Sequence, residues 1–192
     1  MTVSKHIKPT RIALTTLVSC LIASAVIGIM IVLIGDFEET QIKILGTVAA
    51  LAGFSLISLP SIFNLEKQRY QFIGKPGILM SLVFFLLILI IIWGSDEFGN
   101  ELIGKLTFTS GVIAVALNHI LLLFITKPNT RTLLFCQKVT ALIICMVASI
   151  IIVGAWTEEM SDAVFKVLIT LVILDVLGTI SLPILGRINF KS

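Results

Sequence analysis

Three copies of one polar pattern interrupt an otherwise apolar chain: Glu39-x3-Lys43-x3-Thr47, Glu101-x3-Lys105-x3-Thr109 and Asp162-x3-Lys166-x3-Thr170. On a helix, residues four apart share a face, and an acid four residues before a lysine is the favourable order for an ion pair. The acid also sits at the positive end of the helix dipole. The lysine can run its methylenes through lipid toward the headgroups, and the threonine one turn deeper can return its hydroxyl to the backbone or to a neighbouring helix. This chemistry caps and anchors. If the three faces converge, the same residues form an outer vestibule of carboxylates, ammonium groups and hydroxyls, the form of a selective mouth.

Outside the motif three ionisable residues fall inside apolar stretches, His119, Lys138 and Asp175, with Asn118 beside the first as a further buried polar candidate. Ionisable groups at such positions are costly and are functional candidates. At 1.5 Å per residue, Asp175 lies about 20 Å below the outer end of its helix, and His119 and Lys138 lie about 27 Å down. Lys138 reaches the inner headgroups unaided and is the expected partner of Asp175 across a hairpin. On ideal helices in a symmetric arrangement, Asp175 points about 180° from Lys166 while His119 points only about 40° from Lys105, so the two are expected to face different ways. His119 next to Asn118 reads as a satisfied histidine, because no second histidine or His/Cys/carboxylate cluster accompanies it in the spans.

The elements that must carry these groups are set by composition. Of the residues, 57% are hydrophobic and 13% charged, and the mean hydropathy is +1.12. A soluble domain carries about 25% charged residues, so this chain belongs in lipid. Six runs, near 11–35, 41–62, 77–94, 101–126, 132–155 and 162–185, reach the roughly 20 residues that cross a hydrocarbon core as a helix. Continuous apolar runs exclude the alternating pattern of a membrane β-barrel.

Aligned on their lysines, the repeats are 62 and 61 residues apart. The expected fold is an all-α integral membrane protein, one domain over 1–192, with two-helix hairpins at about 9–63, 75–126 and 130–187. Repeats of one orientation are related by an axis along the membrane normal, here a pseudo-threefold axis. The first and third copies also share Ser58-Leu59-Pro60 and Ser181-Leu182-Pro183, whereas the middle one has Asn118-His119-Ile120 in that region.

Lys5, Lys8, Arg11, Lys67, Arg69, Lys75, Lys127 and Arg131 gather on one side and Asp36, Glu38, Asp96, Glu97, Glu158 and Glu159 on the other. The basic side is expected to be cytoplasmic, with both termini inside. Trp93 and Trp156 close their helices at the acidic side, as headgroup-depth indoles do. Residues 63–76 read as the only sizeable inner loop, suited to anionic lipid. Leu17-Val18-Ser19-Cys20 resembles a lipobox, but the apolar run continues to Ile34, longer than a signal core, so a retained span is expected.

The net charge of +3 follows from this sidedness and does not suggest nucleic-acid binding. Cys20, Cys136 and Cys145 lie in spans and read as apolar fillers. Phosphate-loop, zinc-hydrolase and serine-hydrolase motifs are absent from the sequence. These observations lead to the expectation of a non-enzymatic accessory, scaffold or assembly subunit without cofactor or bound metal. Its partners are the lipid bilayer and another membrane protein, and its location is a bacterial plasma membrane. The alternative expectation is a channel or carrier for a small solute or cation.

Overall fold

A computed structural model describes residues 9–34, 39–68, 70–94, 101–125 and 130–188. Lys5, Lys8, Asp36, Glu38, Arg69, Asp96, Glu97 and Lys127 lie outside the described residues. Six helices follow one another: α1 (Pro9–Ile34), α2 (Glu39–Glu66), α3 (Gln71–Trp93), α4 (Glu101–Leu123), α5 (Arg131–Thr157) and α6 (Asp162–Ile188). Among the described residues there is no strand. Each helix contains a stretch long and apolar enough to cross a membrane. The chain is thus an all-α, multi-pass membrane protein.

Each helix packs on the next, and α2 also packs on α4. Of the most apolar stretch of α4, 44% is buried in the protein, against 6–17% for the other five spans. The centre of the molecule is therefore α4, and α6, the least covered span, packs closely on α5 alone. Where α1 begins and α2 ends, Thr10 donates both its hydroxyl and, at 3.4 Å, its backbone N–H to Glu66. A carboxylate from α2 thus serves the first turn of α1, where the helix dipole favours it.

The long inner loop expected at 63–76 is replaced by a short connection. α2 runs to Glu66 and α3 begins at Gln71. Two left-handed residues, Gln68 (φ 53) and Tyr70 (φ 45), reverse the chain. Tyr70 stacks on Phe124 at 4.8 Å between ring centres, and Gly74 lies so close to Leu65 that an added Cβ would come within 3.1 Å of it. Packing between α2 and α3 down to the turn thus extends both helices past the boundary that polarity suggested. Pro60, Pro76 and Pro183 are likewise accommodated inside helices.

Candidate functional site

The motif's three copies are not used alike. Lys43 pairs with Glu39 at 2.5 Å, and Lys105 pairs with Glu101 at 2.5 Å and with Glu158 at 2.7 Å. Glu158 is the C-cap of α5, held at φ 56, and from there its carboxylate crosses to α4. The hydrogen bond from Lys105, together with the lysine's charge, holds Glu158 below its usual range. Lys166 is exposed and makes no ion pair among the described residues.

All three threonines donate to the lysine carbonyl one turn back, at 2.8, 2.7 and 2.9 Å for Thr47, Thr109 and Thr170. That leaves their lone pairs free, and an indole N–H can only donate. Trp93 donates to Thr47 at 2.8 Å and Trp156 donates to Thr109 at 2.9 Å. The first helix of each later hairpin is thus clasped to the returning helix of the hairpin before it. Thr170 is exposed and has no such indole among the described residues. Sequence reasoning placed both tryptophans at headgroup depth and missed the clasp. Its signal was the near-constant offset, 46 residues from Thr47 to Trp93 and 47 from Thr109 to Trp156.

Asn118 is the hub of a buried polar core. Its Oδ1 accepts from the hydroxyl of Ser61 at 2.6 Å and from the N–H of Ser61 at 3.2 Å. Its amide donates to the Ala114 carbonyl at 2.8 Å and the Ser81 hydroxyl at 3.2 Å. Ser81 in turn donates to the Gly77 carbonyl at 2.8 Å. One side chain on α4 therefore holds α2 and α3 together. Pro60 has no N–H and disturbs the ladder around it, and the adjacent Ser61 N–H is the one that reaches Asn118. Gly77 is required by close approach, since a Cβ there would lie 2.3 Å from Ser61 Oγ. Below this core, Asn64 donates to the carbonyls of Pro60 at 2.8 Å and Leu121 at 3.2 Å, and Gln137 from α5 donates to the Leu123 carbonyl at 2.7 Å. The Leu121 and Leu123 carbonyls, in the last turn of α4, are thereby satisfied.

His119, the next residue, turns about 100° away and meets α6. Its Nε2 lies 3.1 Å from Thr179 Oγ1, and its Nδ1 lies 3.8 Å from Asp175 Oδ2. Thr179 donates to Asp175 Oδ1 at 3.4 Å. This corrects the expected pairing of Asp175: the facing group is His119, while Lys138 is exposed and has no ion pair among the described residues. The angular comparison failed because it applied one symmetry operation to both helices. The packing around α4 is lopsided, with Asn118 buried against α2 and α3 and His119 turned to the α6 side.

Beside His119 and Asp175 runs a cavity of about 410 Å³, walled by side chains including Phe84, Phe108, Val115, Ala148 and Ile151. Phe84 lies against Gly111, where a Cβ would come within 2.7 Å of the ring. The two polar residues stand at one end of this apolar space, toward the C-terminal end of α4. Among the described residues no three His, Cys, Asp or Glu side chains gather as a metal would require.

Fold and site together define a multi-pass helical membrane protein with a polar three-helix core, a twice-repeated Trp–Thr clasp and an acid at membrane depth. Comparison of the chain with protein-family models, with curated proteins and with solved structures finds no match.

Proposed function

We propose that the chain is an accessory or assembly subunit of a membrane complex, set in a bacterial plasma membrane with both termini inside. In this reading three parallel hairpins wind about a pseudo-threefold axis and leave a gap between α6 and α1, where a partner helix joins. The observation that carries it is the third copy of the motif. Thr47 and Thr109 each receive a tryptophan from the following hairpin, whereas Thr170 presents the same acceptor on an exposed face. At the matching outer end of α1 stand Ile31-Val32-Leu33-Ile34, with no tryptophan to close the ring. The partner that fits is a transmembrane helix bearing a tryptophan at its outer end. The vestibule reading has less support, because Lys43 and Lys105 are engaged by carboxylates close to them in the fold.

The test is a photoreactive amino acid at position 170, activated in intact membranes, with the cross-linked peptide sequenced. The expected product joins α6 to the outer end of a helix of another protein, and changing that helix's tryptophan to phenylalanine lowers its yield. Products confined to residues 31–34 of the same chain would mean a closed ring. Products with lipid alone would mean a bare edge, and either result refutes the proposal.

A further inference from the structure

The His119–Asp175 end of the cavity has a hydrogen-bonding pattern that selects its occupant. Thr179 has one hydroxyl hydrogen, and it goes to Asp175 Oδ1. His119 Nε2, facing the same oxygen at 3.1 Å, must then be the donor. In the neutral ring Nδ1 is left as an acceptor, and the atom opposite it, Asp175 Oδ2 at 3.8 Å, is a second acceptor. The separation is beyond hydrogen-bond length, so the two atoms face each other without satisfying each other. They are complementary to a group that presents at least two N–H donors. A carboxylate held in lipid also demands a cation; Lys138 on the neighbouring helix is exposed and makes no ion pair to it, which leaves a protonated His119 or, with the ring neutral, a bound cation.

The rest of the cavity specifies the body of that cation. From Phe108 to His119 the α4 wall rises about 16 Å at the helical repeat. Between these residues the wall is lined by apolar side chains from α3, α4 and α5, with a volume of about 410 Å³, within the range of roughly 300–1,000 Å³ for small-molecule sites. The polar end lies at the inner side and the apolar length extends toward the middle and outer part of the span. An amphiphile of the inner leaflet is oriented the same way, with its head inward and its chain toward the midplane. We propose that this cavity is a binding site for a single-chain amphiphile with a primary ammonium head. The ammonium is held between Asp175 Oδ2 and His119 Nδ1, and the chain lies along α4 between Phe84 and Ile151. Nothing in this assignment depends on a protein partner at α6.

The experiment uses the full chain in phosphatidylcholine nanodiscs and a dodecylamine carrying a diazirine near its chain end, with labelled peptides sequenced. Saturable labelling is expected around Phe108 and Ile151. Unlabelled dodecylamine should compete, and dodecanol, with the same chain and an uncharged head, should compete at least about tenfold more weakly, since bonds to a charged partner contribute about 1.5–3 kcal/mol. Asp175→Asn should weaken labelling by a similar factor, and Ala148→Phe, which fills the cavity from α5, should abolish it. The alcohol comparison is made on the unmodified protein and stands even where a variant fails to fold. Equal competition by dodecanol would overturn the proposal. So would unsaturable labelling spread over all lipid-facing helices, which would mean that the groove holds only bulk acyl chains.

Discussion

Replacing Asn118 should cost the bundle more than replacing any charged residue in its spans. In Asn118→Ala the three interhelical bonds of 3.2 Å or less disappear, those from the Ser61 hydroxyl and N–H and that to Ser81, while the long contact to the Gly77 carbonyl at 3.5 Å is left out of the sum. The bond to the Ala114 carbonyl lies within α4 and is left out of the sum. Interhelical side-chain bonds in membranes average about 0.6 kcal/mol, because the separated helices also find partners, so three contribute roughly 1.8 kcal/mol. Loss of the amide leaves a void of roughly 30 Å³, adding about 0.7 kcal/mol at 24 cal/mol per Å³. The expected destabilisation is therefore about 2.5 kcal/mol. Lys138→Met, at an exposed site, should stay within about 0.5 kcal/mol of the parent. The assay is reversible unfolding of the full chain in mixed micelles, followed by circular dichroism. A double-mutant cycle with Ser61→Ala should return a coupling of about 0.6–1.7 kcal/mol. A loss below about 0.5 kcal/mol for Asn118→Ala, or a coupling of zero, would mean that Asn118 does not join α2 to α4.

The glycine beneath that core gives a sharper geometric test. Gly77→Ala forces Ser61 Oγ off Asn118 and should destabilise by about 1–3 kcal/mol, yet be tolerated in a Ser61→Ala background, where the nearest remaining α2 atom is Ser61 Cβ at 3.5 Å. Trp93→Phe and Trp156→Phe should each cost about 0.6 kcal/mol in the same unfolding assay and add when combined, whereas Thr170→Val should leave the isolated chain unchanged. Glu158 is exposed, so its titration is the better readout: its carboxyl carbon should titrate by NMR below the ordinary glutamate value and return toward it in Lys105→Met. Because its folded pKa is lowered, the contribution of this pair is present above the ordinary carboxylate value and is lost as pH falls through the lowered one. Cysteines placed at 43 and 105 should resist a membrane-impermeant reagent, and labelling of both that a pore-sized cation blocks would favour the vestibule instead.

Much of this architecture is legible without coordinates, and the reason is specific to membranes. Only an uninterrupted helix satisfies its own backbone in lipid, so apolar length and the acidic starts at Glu39, Glu101 and Asp162 mark where α2, α4 and α6 begin. The C-terminal end of α2 is harder to read. Lys67, Arg69 and Lys75 resemble a loop by charge, while Gly74 against Leu65 and Tyr70 on Phe124 keep the helices packed almost to the turn. Which faces meet is hardest of all. Leucine and isoleucine are no more at home against another helix than against an acyl chain, so apolar pattern carries little information about pairing. That information rests in a few hydrogen-bonding side chains and in glycines that permit close approach, and it depends on helix rotation, which spacing along one helix does not determine. Asn118 and His119 show this directly: adjacent in sequence, one buries itself against α2 and α3 and the other opens onto Asp175.

The same logic separates α6 from the rest. α4 is held to its neighbours by Asn118, by its Leu121 and Leu123 carbonyls and by Thr109. The described contacts that fix α6 are Leu182, buried with Ile120, Leu123, Leu133 and Ile144, Gly178, whose missing Cβ leaves room for Thr140 Oγ1 where it would otherwise lie at 2.3 Å, and the His119, Asp175 and Thr179 cluster. A helix with so few directional contacts, and with an exposed third copy of the Lys–Thr face, is the one whose position responds most to an added contact. Occupancy of the cavity at Asp175 and docking at Thr170 therefore act on the same element. Tight binding of an ammonium head at Asp175 should shift the cross-linking yield at Thr170.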